Sequence, residues 1–308
     1  MKHLGLGLAL VLALQSVCGA ESAQRRFESA DAAVAALISA IRTPDRKALV
    51  EILGAEGRPL VRSGDEVADL GEARRFLAEF DQSHRLEGSG GRLTLYVGRD
   101  DFPFAIPLVP DGPSWRWDTA AGSEEILNRR VGRNELGAIQ VCLAYVDAQR
   151  EYYSEDHTGA GILEYAQRLG STKGRHDGLY WKAQPGQAQS PLGPLVAQAK
   201  GEGYLTSRGG ATAPYHGYLY RVLLAQGPDA PGGAYDFVVR GHMIGGFALV
   251  AFPAQYGASG VMTFIVSHDG VVYEKDLGPN TAQSAAAIKA FNPDRTWRKV
   301  ENSKGSSN

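Results

Sequence analysis

Several short stretches hold side chains that could do chemistry. Glu155, Asp156 and His157 set two carboxylates beside an imidazole, the ligand types of a divalent-metal site. A zinc site needs three or four ligands at fixed spacing, and no Cys or His-x-x-x-His partner stands nearby. A solvated loop at a helix end accounts for these residues, and no metal is expected. His176-Asp177-Gly178 and His268-Asp269-Gly270 each place an acid beside a base, yet Asp-Gly is turn chemistry and a turn is expected at both. Gly257-Ala258-Ser259-Gly260-Val261 offers a serine in a tight turn, but a nucleophile elbow needs Gly where Val261 stands, and a helix after the serine where a strand is expected. Cys142 lies among Val141, Leu143 and Val146, the setting of a buried inert thiol. The pairs Gly209-Gly210, Gly232-Gly233 and Gly245-Gly246 fit neither G-x-G-x-x-G nor the P-loop pattern. No complete catalytic constellation forms, so no catalytic residue and no cofactor are assigned.

Two other groups point to binding. Arg129, Arg130 and Arg133, with Asn134 and Glu135, cluster where one half of the chain hands over to the other. They read either as an interdomain network, which the forked guanidinium suits, or as an anion or partner patch. The aromatics Tyr180, Trp181, Tyr204, Tyr215, Tyr218 and Tyr220 are dense in and after a long irregular stretch. They read as loop packing, or (Tyr180, Trp181, Tyr215 and Tyr218 above all) as an aromatic surface for a partner or glycan.

The elements that must position these residues follow from periodicity. Ser29 suits the cap of a helix carrying Val34, Leu37, Ile38 and Ile41 at helical spacing. Thr43-Pro44-Asp45 stops it and starts another, with Pro44 at the first helical position and Gly54 as its stop. A third helix is predicted over Leu70–Gln82, then strands over Arg92–Val97, Phe104–Val109 and Trp115–Thr119. A long helix is predicted from Ser123 to Ser154, ~48 Å at ~1.5 Å per residue, with Leu136, Ile139, Leu143, Val146 and Tyr153 as its apolar side. Gly132 and Gly137 weaken its first half by about 1 kcal/mol each, so a break there is open. After the irregular stretch 155–214, with order predicted only at Gly178–Trp181 and Pro194–Lys200, strands follow over Tyr215–Ala225, Ala234–Arg240, Gly246–Phe252, Val261–Ser267 and Val271–Asp276. His268-Asp269-Gly270 joins the last two as a hairpin whose two turn residues both need positive φ. A helix over Thr281–Phe291 and a short Trp297–Val300 segment complete the pattern, and 301–308 read as a disordered tail.

Met1-Lys2-His3 leads into the uncharged apolar run Leu4 to Leu14 and then Val17-Cys18-Gly19-Ala20, the three-part pattern of a cleavable signal peptide over residues 1–20. The run is shorter than the ~20 residues that span a bilayer. A lipid on Cys18 is disfavoured, because a lipobox wants Leu and a small residue where Gln15 and Val17 stand. The chain is therefore expected in the periplasm or outside the cell, with no membrane span after cleavage. Of 2 cysteines only Cys142 would remain, so no intramolecular disulfide can form and packing must supply the stability. The formal charge of −2, one unit more negative once Lys2 departs, is too near neutral to suggest nucleic acid as a partner. The 38 glycines and 15 prolines are spread out as turns, so the 308 residues suggest two α+β domains.

Whole-chain motifs carry a resemblance. Ser63-Gly64-Asp65, Phe102 to Val109, Trp115-Arg116-Trp117-Asp118, Arg129 to Leu136, Asp177 to Trp181, Ser190 to Pro194, Pro231 to Ala234 and Glu274 to Pro279 together resemble the bacterial exported family known as domain of unknown function 2950. That family has no assigned activity, so the resemblance implies no catalytic residues. Asn134 to Ile139, Tyr145 to Gln149 and Tyr152-Tyr153, with Phe247 to Pro253, Gly260 to Phe264 and Asp269 to Val272, are similar to the soluble heads of type IV pilins and type II secretion pseudopilins. The apolar stem that places a pilin in the membrane is missing, since that half of the helix reads Glu124 to Arg133, with five charges. The head fold is implied, but pilus assembly is not. The first unit is similar in element order to the cone of nuclear transport factor 2-like domains.

The expected organisation is thus a signal peptide over 1–20, a cone-like α+β domain over 27–121, and a pilin-head-like domain over 122–300 in which a long helix packs on an antiparallel sheet. The expected function is a non-enzymatic binding or assembly module of the bacterial envelope, with an unidentified envelope protein or polymer as partner. Cones often hold a pocket, so the rival is a ligand carrier or enzyme using Asp65, Trp115, Trp117 and Asp118. A third reading is an accessory of a secretion or pilus system.

Overall fold

The computed structural model describes residues 24–301 apart from Gly90, Pro185, Gln187 and 205–212. The expected signal peptide over 1–20 and most of the expected tail lie outside the described residues. The fold is α+β, with two clusters of buried apolar side chains.

The first cluster forms around α1 (Ala30–Arg42), where Ser29 caps the helix by accepting from the Ala32 amide. α2 (Arg46–Leu53) is capped by Asp45, so Pro44 stands outside the helix and not at its first position; Gly54 stops it at φ +75°. A one-turn helix, α3 (Arg58–Val61), leads to α4 (Glu66–Gln82), which starts a turn earlier than periodicity suggests because Asp65 caps it. An antiparallel sheet follows: β1 (His84–Ser89), β2 (Arg92–Val97), β3 (Phe102–Pro103), β4 (Leu108–Asp111) and β5 (Ser114–Trp117), in spatial order β1-β2-β4-β5 with β3 also on β2. Of the strand predicted over Phe104–Val109 only Leu108 and Val109 are in a strand, β4, which starts just after Pro107, a residue that cannot donate to a ladder. β1 carries one half-buried apolar residue, Leu86, and so has no alternation to read.

α5 (Ser123–Tyr152) is unbroken over 30 residues, ~45 Å, despite Gly132 and Gly137. At Gly137 an added Cβ would stand 3.3 Å from His216, so the glycine admits a close neighbour. The buried stripe is Ala138, Val141, Cys142, Tyr145, Val146, Ala148, Gln149 and Tyr152; of the apolar side predicted, Val146 is buried and Ile139 and Leu143 pack at its margin, whereas Leu136 is 63% exposed. Small residues at 138 and 148 let the helix settle on the second sheet. That sheet is antiparallel in order β14-β13-β12-β11-β6, built of β6 (Tyr218–Leu223), β11 (Ala248–Pro253), β12 (Met262–Ser267), β13 (Val272–Asp276) and β14 (Arg298–Lys299). Before β6 comes α6 (Gly193–Gly201); between β6 and β11 lie two short pairs, β7 (Ala225–Gln226) with β8 (Tyr235–Asp236) and β9 (Val238–Val239) with β10 (His242–Met243). The β12–β13 hairpin forms as expected, although only Gly270 of its Asp-Gly takes positive φ. α7 (Thr281–Ala287) ends four residues early, and Phe291 turns instead into the core to bridge Gln226.

Gln149 is buried in the α5 stripe, and its amide stands in for a backbone pair. It accepts from the Ala166 amide at 2.8 Å and donates to the Ala166 carbonyl at 2.8 Å and the Tyr145 hydroxyl at 3.0 Å, tying the stretch after α5 to the helix. Gln149→Ala strands two buried backbone groups and should cost about 2–4 kcal/mol in a urea unfolding titration. It should also speed proteolytic nicking between 155 and 181; an unchanged cleavage pattern would show that the tie is dispensable.

Candidate functional site

The densest polar constellation is the seam between the two buried clusters. Asp65 is 1% exposed, and one oxygen caps α4 through the Ala68 amide at 3.1 Å. Its other oxygen accepts from the Tyr204 hydroxyl at 2.8 Å and the Gly217 amide at 2.9 Å, both from beyond α5. Burial, then the Asp65 charge, drives the Tyr204 phenol far above its ordinary range, so it stays a donor. Gly217 has φ +75°, and a Cβ there would stand 2.5 Å from Asn134 Nδ2, so no other residue fits. Asn134 donates to the Ser259 carbonyl at 2.9 Å, and Glu135 accepts from the Val261 and Met262 amides, each at 3.0 Å.

Arg130 crosses the seam the other way. It is 6% exposed and donates to the Pro59 carbonyl at 2.9 Å, the Leu60 carbonyl at 2.8 Å and Glu72 at 3.3 Å. Arg133 reaches the same Glu72 at 2.5 Å. Arg129 pairs with Glu125 on its own helix and stands over the Phe102 ring. Of the five residues singled out on this helix, Arg130, Arg133, Asn134 and Glu135 thus bond to segments remote in sequence, whereas Arg129 stays on the surface. Glu72, which takes both Arg130 and Arg133, carries no local signal that marks it, and Tyr204, singled out only as one of the dense aromatics, is the partner of Asp65.

The structure does not bring Asp65, Trp115, Trp117 and Asp118 together around a cavity. Asp65 is spent in the seam. Trp117 is fully buried and fills the first cluster with Phe104, edge to face at 5.6 Å. Trp115 is half-buried on β5, and Asp118 faces Arg116 at 3.7 Å. An open groove of about 450 Å³ does lie on this unit, along α1, lined by Ala35, Ile38, Ser39, Arg42, Thr43 and Phe80.

The aromatic residues divide. Tyr218 is fully buried and donates to the Met262 carbonyl at 2.8 Å, so it belongs to the core and not to a surface. Tyr215 packs edge-on to Tyr204 at 5.0 Å, and burial and then the Glu202 charge push its phenol up to about 12. Tyr180 receives Lys200 at 3.1 Å, and Trp181 is stacked by His176 at 4.3 Å. His157 is tilted against both Trp181 and Tyr152. Burial depresses its pKa, with nearby carboxylates opposing.

The acid–base motifs lie in loops, and His268 faces Asp269 at 3.6 Å while its buried Nδ1 has no hydrogen-bond partner among the described residues. Asp177 holds the Thr172 amide and hydroxyl, and the Ser259 hydroxyl exchanges hydrogen bonds with the Gln255 backbone. Cys142 is fully buried, which pushes its thiol up to about 12. Among the described residues no group of three or more His, Cys, Asp or Glu is placed to hold a metal, and no helix is long and apolar enough to cross a membrane.

A feature that sequence reasoning missed lies at the far end of the second unit. Tyr165 donates its amide to the Met243 carbonyl at 2.8 Å, Gln167 reaches the Gly241 carbonyl at 2.6 Å, and buried Glu164 meets His242 at 3.0 Å. Phe237 receives the Ile244 amide and donates to the Leu224 carbonyl. These bonds lace three segments into one rim, on which Ile162, Leu163, Leu224, Tyr235, Val239 and Ile244 are 38–46% exposed. In sequence they read as ordinary strand or loop residues; only the lacing puts them on one rim.

Two outcomes follow. Asp65→Ala should cost about 2–4 kcal/mol, from the lost cap and two stranded donors, and a double-mutant cycle with Tyr204→Phe should give a coupling well above zero by chemical denaturation. Asp156 has a depressed pKa because the Gly161 amide, and then those of Gly159, Ala160 and Thr158, donate to it, opposed by some desolvation. Its folded value lies below the ordinary 3.8, so the clip is fully present above that pH and lost as pH falls through the lower value. Protection of the Gly159 and Gly161 amides, relative to their intrinsic exchange rates, should fall only in that acid window, and Asp156→Asn should remove this fall.

The chain matches, over residues 24–300, the family described as a protein of unknown function, DUF2950, and it belongs to that family. No curated protein and no solved structure matches it.

Proposed function

We propose that this protein is an exported, non-enzymatic binding module of the bacterial envelope, and that it holds its partner on the apolar rim at the far end of the second unit. The exposed side chains of Ile162, Leu163, Val239 and Ile244, with Leu224 and Tyr235, carry this reading. Exposed apolar side chains gathered on a rigid frame are the usual mark of a docking face. The frame is stiff here because its loops are tied by backbone hydrogen bonds and by the Glu164–His242 pair.

Export rests on the leader pattern of residues 1–20 and is consistent with a core that uses no disulfide. In this reading the first unit is a cone of the nuclear transport factor 2-like kind, and the second a pilin-type head without its stem. The Asp177 carboxylate and the Ser259 hydroxyl are engaged by turn backbones, which supports binding over catalysis at those two motifs. The ligand-carrier alternative rests on the groove along α1, whose lining includes none of the four candidate pocket residues.

The test has two arms. Expressed in an exporting bacterium, the chain should reach the periplasm with Glu21 as its first residue, read by mass spectrometry; full-length protein retained in the cytoplasm would sink the export reading. The purified protein should bind isolated envelope material saturably, and Leu163→Asp with Ile244→Asp should weaken that binding at least about ten-fold, the loss of two apolar contacts, with an unchanged melting temperature. Equal binding by the variant would refute the rim as the docking face.

A further inference from the structure

A second surface, on the first unit, is independent of that reading. In the first sheet the β5 edge is covered, because Phe27 and Trp115 exchange backbone bonds at 2.9 and 2.7 Å. The opposite edge is β1, which pairs only with β2 among the described residues. Five of its six residues are exposed, and it has no proline and no bulge in its register. Open edges of this kind template the addition of another strand, and proteins usually blunt them.

The side chains of β1 say which strand. His84, Leu86 and Gly88 share the face toward the helices; Arg85 and Glu87 share the other. Leu86 packs on the buried cluster, and Arg85 lies over the Tyr96 ring and pairs with Glu87 and, at 3.3 Å, with Asp101 in the turn that follows β2. Consider a second copy of β1 laid antiparallel along the edge. A register that sets a residue of one face opposite one of the other would put the helices of the two copies on opposite sides of the sheet. Registers that keep the helices together centre on a single residue. Centring on Arg85 sets Arg against Arg, and centring on Glu87 sets Glu against Glu. Centring on Leu86 sets Arg85 against Glu87 twice, Leu86 against Leu86, and His84 against Gly88, which has no side chain to crowd the ring. Of these three registers it alone matches every pair, and like charges directly opposite are destabilising.

We propose that the protein forms a two-fold dimer by antiparallel pairing of β1 with β1 of a second copy, in register about Leu86. The two sheets become one continuous sheet, with the helices of both copies on the same side. A shallow groove of about 400 Å³, lined by Val34, Ala35, Phe80, Leu95 and Leu86 itself, opens along this edge in each copy, so the two grooves would meet at the paired Leu86 side chains. The interface is isologous, so each contact occurs twice and a charge reversal is felt twice.

Sedimentation velocity of the purified protein tests this. Wild type should run as a concentration-dependent dimer. Arg85→Glu and Glu87→Arg should each weaken dimerisation roughly ten-fold or more, since each sets like charges opposite at two places. A one-to-one mixture of the two variants should restore the dimer, because both acids on the strand of one variant then face the two bases on the strand of the other. Thermal melts confirm that both variants fold. A monomeric wild type at its highest soluble concentration overturns the proposal, as do variants that dimerise like wild type. Failure of the mixture to recover overturns the register.

Discussion

Burial of the Arg130 guanidinium is the constraint on which the arrangement of the two units rests. A charge removed from water costs several kcal/mol unless partners replace its hydration. Here the replacement comes from the first unit: two carbonyls, from Pro59 and Leu60, and the Glu72 carboxylate. The carbonyls belong to the single turn of α3, so the guanidinium also completes a helix too short to satisfy itself. Asp65 mirrors this arrangement, being a buried carboxylate of the first unit satisfied by donors from the second. Two opposite charges each solvated by the other unit leave neither unit complete alone. The seam is specific for geometry rather than rich in apolar area.

α5 makes that exchange possible. Its first half delivers Arg130 and Arg133 to the first unit, and its second half lays Ala138, Cys142, Tyr145 and Tyr152 on the second sheet. An unbroken helix transmits orientation along its length, and the two glycines near its middle do not interrupt it because packing on both sides outweighs their propensity cost. The irregular stretch after it is ordered by local bonds of another sort: Asp156, Asp177 and Gln149 each satisfy backbone amides that no sheet supplies. Such loops keep their shape without regular structure.

Much of this was legible in the sequence where the signal is local. Ser29, Gly54 and the Asp-Gly of 269–270 mark their elements because caps and turns are chosen by one or two residues. The α+β class and the long helix follow from periodicity. What escaped was decided at a distance. β1 has no alternation, since only Leu86 finds the core. The buried side of α5 mixes Tyr145, Val146 and Tyr152 with small residues and a glutamine, and a count of large apolar residues overlooks the last two kinds. Trp117 and Tyr218 are amphipathic types that suit a pocket or a surface equally well until packing assigns them to the core. Asp65 could be singled out as polar and interesting, but its partners, Tyr204 and Gly217, lie more than a hundred residues away.

Cys142 gives the molecule a property of a different kind. The thiol is wholly enclosed beneath α5, and enclosure holds it protonated at any physiological pH. In an oxidising medium it is therefore chemically silent for as long as the second core is closed, and it becomes reactive at the moment that core opens. The chain thereby carries a built-in clock of its own breathing: the rate at which a small thiol reagent marks it reads how often the interior is exposed, with no label or substitution introduced.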